Sequence, residues 1–273
     1  MRQVRALVVA GFGINCEEET AAAYRLAGAE ADIAYLNSIL HGTCSIHDYD
    51  VLTLPGGFSF GDDLGAGKAL ANKLRYRTLP SGRLFFDEAS AFVEEGKYIF
   101  GICNGFQVLA KMGLLPNTNG DYDQEVTLTT NASGRFEDRW CHCTSLSVGK
   151  TPFLKGIDVI SLPVRHGEGR LVIRDASIEE RIIAQSLNCL SYSDSGGTPT
   201  AKFPMNPNGS QLNCAGLCDS TGRIFGMMPH PEAYLSAYNH PDWPRMRRLR
   251  PDTSEEGEGL QIFRNIVEHI KSR

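Results

Sequence analysis

A cysteine becomes a nucleophile when the backbone lifts its thiol to the start of a helix, and Gly101-Ile102-Cys103-Asn104-Gly105 has the residue types for that placement. The segment is a G-x-C-x-G elbow, in which small flanking residues permit the sharp, strained turn that presents the central side chain. An apolar run from Tyr98 to Ile102 leads in, and a helical pattern from Asn104 to Ala110 leads out. Unpaired amides and the helix dipole at such a position favour a thiolate.

A thiolate that attacks an acyl carbon needs a proton donor for the leaving group, and the donor needs an orienting carboxylate. His230-Pro231-Glu232 offers both. The proline keeps the segment out of a helix, so side chains two residues apart can project toward one region. A tetrahedral intermediate also needs backbone N–H donors, and Pro55-Gly56-Gly57-Phe58 follows directly on an apolar run ending at Leu54. Glycines there let the main chain turn its amides inward. Elbow, glycine turn and His-x-Glu together spell thiol acyl transfer.

Other chemistry-bearing residues read more plainly. Cys141-His142-Cys143 has no second ligand pair at zinc-site spacing and is explained by alternation along a strand, so no metal is expected. The remaining cysteines, at positions 16, 44, 189, 214 and 218, are scattered and read as reduced thiols. Asn131-Ala132-Ser133 and Asn208-Gly209-Ser210 match the glycosylation pattern, which carries no weight in a cytosolic chain.

The elements that must position these residues follow from periodicity. Strands are expected over Val4 to Ala10, Ala31 to Leu36, Asp50 to Leu54 and Tyr98 to Ile102, with helices from about Glu17 to Leu26 and near Leu84 to Glu95. Apolar strands alternating with helices predict a parallel sheet with crossover helices. After Leu115 the texture changes: 125–130, 135–146, 159–164 and 171–174 read as strands without long helices between them, hence antiparallel or mixed sheet. A further strand over 223–228 and a helix over 260–270, with Leu260, Phe263, Ile266, Val267 and Ile270 on one face, close the chain. His230 then lies just past a strand end, where ligand and catalytic groups gather in open α/β sheets. No repeat or long linker divides the sequence, so residues 1–273 are expected to form a single domain with a polar surface insertion around 239–259. That insertion carries Arg245, Arg247, Arg248 and Arg250, read as a solvated excursion or as an anion or partner contact.

Composition narrows the partners. With 27 Lys+Arg against 32 Asp+Glu, the formal charge of -5 gives no general attraction to nucleic acid or to an anionic membrane. No apolar run has the length of a membrane span, and the opening MRQVRALVVAGFGINC is too short in its apolar part for a signal peptide, so a cytoplasmic location is expected.

PGGFSFGDDLGAGK (55 to 68), GICNGFQVLAKMGLLP (101 to 116), NASGRFEDRW (131 to 140), VRHGEGR (164 to 170), NPNGS (206 to 210) and GMMPHPEAYL (226 to 235), in this order, resemble the class I (triad) glutamine amidotransferases. Within that family the segments are similar to the glutaminase subunits of phosphoribosylformylglycinamidine synthase, and the likeness runs nearly end to end. The resemblance implies a flavodoxin-like α/β fold with a central, mostly parallel sheet flanked by helices and a smaller mixed or antiparallel sheet. It also implies that Cys103 attacks glutamine to give a thioester and ammonia, that His230 serves as acid and base, and that Glu232 holds the imidazole. By the same likeness Gly57 and Asn104 supply oxyanion amides within the turn 56–58, Gln107 helps hold glutamine, and His166 and Gly167 line its pocket. No G-x-x-x-x-G-K-[ST] segment is present. The resemblance therefore assigns ATP and magnesium to a separate PurL-like synthetase subunit, with a small PurS-like accessory subunit bridging the two. Ala233 stands where the family commonly has arginine, which puts that part of the partner interface on other groups. Two alternatives share the elbow: another cysteine enzyme, such as a γ-glutamyl hydrolase or a PfpI-like protein, and a non-catalytic regulatory subunit.

Overall fold

The computed structural model describes residues 2–147, 149–249 and 254–273. In chain order its elements are β1 (Arg5–Ala10), α1 (Glu17–Leu26), β2 (Glu30–Tyr35), α2 (Leu36–Leu40), β3 (Val51–Leu54), α3 (Lys68–Tyr76), α4 (Phe85–Glu94), β4 (Tyr98–Ile102), α5 (Asn104–Lys111), β5 (Val126–Thr129) and β6 (Glu137–Ser145). They continue with β7 (Val159–His166), β8 (Arg170–Ile173), α6 (Ala176–Ala184), β9 (Asn188–Ser193), β10 (Cys214–Cys218), β11 (Ile224–Met227), α7 (Trp243–Leu249) and α8 (Leu260–Lys271).

Nine strands form one sheet in the order β2-β1-β3-β4-β11-β10-β9-β6-β7. From β2 to β11 every pairing is parallel, and from β11 to β7 every pairing is antiparallel. The expected antiparallel strands thus mostly continue the main sheet, while β5 and β8 pair as a separate two-stranded antiparallel sheet. The inner strands β3 and β4 of the parallel half are buried at every residue, as crossover helices covering both sides require.

Beneath the centre of the sheet, Phe100 of β4 stacks on Phe225 of β11 at 5.5 Å between ring centroids, and Phe153 and Phe263 close on the same ring. Phe263 belongs to the apolar stripe of α8, which also meets Tyr24 of α1 edge-on at 5.0 Å. This aromatic floor fixes β4 and β11 side by side, and those two strands carry the elbow and the His-Pro-Glu segment at their ends. Among the described residues no helix is long and apolar enough to cross a membrane.

The polar stretch 239–259 contains α7, anchored by the buried Trp243. Arg247 is engaged there rather than free: it pairs with Glu255 at 3.1 Å and lies over the Trp243 ring. Arg245 and Arg248 are on the same short helix, and Arg250 lies outside the described residues.

Candidate active site

The elbow forms because nothing but glycine fits beside it. A Cβ on Gly105 would lie 1.8 Å from the Leu54 carbonyl oxygen, and one on Gly101 would lie 2.6 Å from Leu109 Cδ1. A Cβ on Gly226 of β11 would likewise press on the Phe106 ring at 2.3 Å. Three missing side chains therefore let α5 dock directly on β3, β4 and β11. The turn between β4 and α5 leaves Cys103 at φ 51° and ψ -102°, a left-handed conformation that costs an ordinary residue on the order of 1–3 kcal/mol. Its N–H donates to Met227 O at 2.7 Å, pinning the strained residue to the neighbouring strand. The thiol is buried, at 4% exposure, and Sγ approaches Arg165 O at 3.8 Å.

β11 pairs with β4 in parallel register, Met227 opposite Ile102, so both chains leave the sheet at the same level. Met228 and Pro229 carry the chain on to His230, whose N–H donates to Pro163 O at 2.9 Å. Pro231–Ala233 then folds into one 3₁₀ turn that swings Glu232 back beneath the imidazole. His230 Nδ1 and Glu232 Oε1 are 2.5 Å apart, with both side chains almost wholly buried. An ionised carboxylate only accepts, so Nδ1 carries the proton. Burial is the largest single influence and works against a charged imidazole, but Glu232, Cys103 and Cys16 together outweigh it, and His230 is held well above the ordinary histidine range. His230 Nε2 is buried and has no hydrogen-bond partner among the described residues.

The glycine turn is shaped by contact with this histidine. A Cβ on Gly56 would meet His230 Cε1 at 2.7 Å and Cys16 Sγ at 3.2 Å. Gly57, at φ 145°, packs on the β1–α1 loop so closely that a Cβ would lie 2.5 Å from Gly13 O. That loop clamps the turn: Asn15 and Cys16 N–H both donate to Gly56 O, and Phe58 N–H donates to Gly13 O at 2.7 Å. Phe58 is exposed and faces Phe136, with ring centroids 6.4 Å apart.

On the other side of the thiol, Asn104 Nδ2 donates to Gln107 Oε1 at 2.9 Å, and Ser59 N–H donates to Asn104 Oδ1. Gln107 Nε2 in turn donates to Glu168 O at 2.5 Å, tying α5 to the β7–β8 turn, which begins with Gly167 directly after His166. The buried Asn131 holds that turn. Its Nδ2 donates to Arg135 O and His166 O, its Oδ1 accepts from Gly169 N–H at 2.9 Å, and its N–H donates to Gly167 O. Because Oδ1 is an acceptor in this arrangement, His166 Nδ1 at 3.0 Å must be the donor. His166 Nε2 is buried and has no hydrogen-bond partner among the described residues, so an imidazolium would leave its second N–H unsatisfied and the ring is neutral. Burial first, and the field of His230 second, hold it down to about 4. The Glu168 carboxylate accepts from Ala66 N–H at 3.0 Å, fastening the glycine-rich loop to the same turn. Beside it, burial lowers Lys111 to about 8 against the opposing pull of Glu168.

The structure thus gathers Cys103, His230, Glu232, Gly56, Gly57, Asn104, Gln107, His166 and Gly167 around one end of the parallel half-sheet, with Phe58 at its exposed rim. It adds three residues to which sequence reasoning gave no role. Asn131 opens the segment NASGRFEDRW, Glu168 sits inside VRHGEGR, and Cys16 ends the turn after β1. Cys16, His230 and Glu232 also offer ligand atoms within 4.8 Å of one another. Cys141 and Cys143 lie buried on β6 with His142 between them facing outward, as alternation requires. A separate, mostly apolar cavity of about 310 Å³ among Ile39, Cys44, His47, Leu79 and Phe85 contains none of the site residues.

Comparison with known proteins bears on the same residues. Residues 3–270 match the CobB/CobQ-like glutamine amidotransferase domain. Phosphoribosylformylglycinamidine synthase subunit PurQ of Methanococcus maripaludis strain S2 is 40% identical over 275 residues, covering 97% of each chain. The subunit of the same name from Dehalococcoides mccartyi is 40% identical over 267 residues, covering 98% of each. Among solved structures, a chain of PurLQS from Thermotoga maritima superposes with a TM-score of 0.70 at 28% identity, over 98% of this chain and 100% of that one.

Proposed function

Because the chain belongs to the CobB/CobQ-like glutamine amidotransferase family, and within it to the PurQ subunits, we propose that Cys103, His230 and Glu232 hydrolyse glutamine to feed ammonia to a synthetase. The product is the ammonia that phosphoribosylformylglycinamidine synthase consumes in purine biosynthesis. The observation that carries the reading is the strained Cys103 elbow at the end of β4, beside the end of β11 from which the buried His230–Glu232 pair follows.

In this reading the Cys103 thiolate attacks the side-chain amide carbon of glutamine, and the oxygen takes up negative charge. Gly57 and Asn104 N–H are the donors assigned to that oxyanion. Gly57 is turned by its close fit to Gly13, and Asn104 is the first residue of α5, where helix amides lack intrahelical acceptors. A donor of this kind is worth on the order of 10²–10³ in rate. Collapse breaks the C–N bond, His230 gives its Nε2 proton to the departing nitrogen, and a γ-glutamyl thioester remains on Cys103. Water, deprotonated by the now neutral imidazole, attacks the thioester and releases glutamate and the thiolate. Gln107, His166 and Gly167 are assigned to the glutamine pocket, which Asn131 and Glu168 hold together.

Residues 1–273 act as one amidotransferase domain, which the match over 3–270 supports. ATP and magnesium chemistry belongs to a PurL-like partner, in keeping with the assembly named in the Thermotoga structure, and a PurS-like subunit completes the complex. The site is a cytoplasmic one, and no metal or cofactor takes part in the hydrolysis itself. The low exposure of Cys103 supports a subunit that hydrolyses glutamine poorly until its partner docks.

The test is Cys103→Ala in the assembled complex. Glutamine-dependent amidine formation is expected to fall to background while synthesis from added ammonium continues at the wild-type rate. Loss of both activities in a folded complex, or survival of the glutamine reaction, overturns the assignment.

A further inference from the structure

The mechanism makes no use of Cys16, although it lies against the same histidine. From this placement we infer that Cys16, His230 Nδ1 and Glu232 form a latent binding site for a thiophilic divalent cation of the zinc class, entered from the face of His230 away from Cys103.

Three observations carry the site. The first is geometry: the three ligand atoms lie within 4.8 Å of one another. A tetrahedral ion with bonds of about 2.0–2.3 Å separates its ligands by roughly 3.3–3.7 Å, so side-chain shifts of about an ångström bring them into place. The second is unsatisfied capacity. Glu232 is 2% exposed at its side chain, yet its Oε2 has no hydrogen-bond partner among the described residues. A buried carboxylate oxygen left bare is an unusual expense for a fold, and a cation relieves it. The third is access. Cys16 and Glu232 line a cavity of about 340 Å³ together with Glu19, Arg165, Leu235 and Asn239, and Cys103 is not part of that lining. Glu19 or water supplies a fourth ligand there. Arg165 is the one opposing charge on the wall, and it is drawn toward Asp138 at 3.7 Å. The N-terminus of α1 also opposes a cation, but Glu17, Glu18 and Glu19 fill its first turn.

Coordination replaces two protons, one on the Cys16 thiol and one on His230 Nδ1, and no electron moves. Its effect on catalysis rests on the proposed function above: the ion takes the carboxylate that orients the imidazole, so glutamine hydrolysis stops without any contact with the glutamine pocket. Which cysteine supplies the thiolate separates this site from the obvious rival, an ion held by Cys103 and His230 Nε2.

Cobalt(II) chloride alone, titrated into the full chain under anaerobic reducing conditions, reports thiolate ligation through its charge-transfer absorption. Wild type and Cys103→Ser are expected to bind one cobalt ion with that band, and Cys16→Ser is expected to lose the band and bind at least tenfold more weakly. Glu232→Gln, whose amide packs in the same space, is expected to weaken binding by a similar factor while keeping the thiolate band at saturating cobalt. Absence of the band in the wild type overturns the site. So does a band that survives Cys16→Ser or vanishes in Cys103→Ser, since either result puts the ion on another thiol. None of these readouts depends on glutaminase activity, so failure of the metal site leaves the catalytic assignment to its own test.

Discussion

Replacing Glu232 by glutamine removes one charge from a pair that is almost wholly buried. The two side chains are 4% and 2% exposed, and Nδ1 and Oε1 are 2.5 Å apart. Breaking one partner of such a buried pair costs about 3–5 kcal/mol of folding stability, and replacing the carboxylate that orients a triad histidine by its amide lowers kcat by about 10⁴. KM for glutamine should stay within about threefold, because Glu232 serves the imidazole and not the substrate. The assay is steady-state glutamate release by the assembled complex. Stability carries an independent signature. Glu232 raises the folded-state value of His230 above the ~6.5 of an unfolded histidine, so its contribution is fully present below about pH 6.5 and is lost as pH rises through the raised value. The stability difference between wild type and Glu232→Gln should therefore be largest in mild acid and shrink as the solution becomes alkaline. A kcat loss under tenfold, or a stability difference that grows with pH, refutes the account of the pair.

Strain at the elbow predicts an inverted order of stability at position 103. Cys103→Gly should be more stable than Cys103→Ala by about 1 kcal/mol, measured by urea denaturation, because only glycine accepts φ 51° without penalty; equal stabilities would argue against strain. Asn131→Ala leaves Gly169 N–H, His166 Nδ1–H and two carbonyls without their partner, and at about 1 kcal/mol each the β7–β8 turn loosens by about 2–4 kcal/mol. KM for glutamine is expected to rise at least tenfold with a smaller change in kcat, and an unchanged KM would separate this turn from the pocket. His166, held to about 4 in the fold, lets the unfolded chain take up its proton first as pH falls from 6.5. Wild type should lose about 3 kcal/mol relative to His166→Gln between pH 6.5 and 4, and parallel stability curves for the two would contradict a buried neutral imidazole.

The parts of the site that sequence revealed are those built by neighbours in the chain. The elbow needs Gly101 and Gly105 within two residues of Cys103, and His230 meets its carboxylate two residues on, so spacing alone exposed them. Asn131 and Cys16 escaped because their roles are made across the fold: Asn131 reaches residues thirty-five or more positions away, and Cys16 meets His230 only after β1 and β11 join one sheet. The same contrast holds for the elements. α1 and β4 appear at their predicted bounds because a clear pattern and a clear stop coincide. β9 and β10, NCLSYS and CAGLC, are buried along nearly their whole length, so they lack the alternation that marks a half-buried strand, and their small residues give weak β preference. α6 also went unread, although Asp175 caps it by accepting from Ile178 N–H at 3.0 Å. α3 starts from Gly67 at φ 72°, at the end of a glycine-rich loop that hides a helix start.

The parallel register of β4 and β11 bears on how a partner can control this subunit. Cys103 follows β4 directly and His230 stands three residues past β11, over a shared floor of stacked phenylalanines, so their spacing rests on the sheet ladder and on the His230 N–H bond to Pro163 O. A signal arriving at the surface has no cheap way to pull them apart. What can move are the pieces outside the ladder: the glycine turn, fastened by backbone bonds to the β1–α1 loop, and the β7–β8 turn, fastened by the side chains of Asn131, Gln107 and Glu168. Under the proposed function, control by a partner falls on those two segments, as an amide turned toward or away from the oxyanion and a pocket opened or shut.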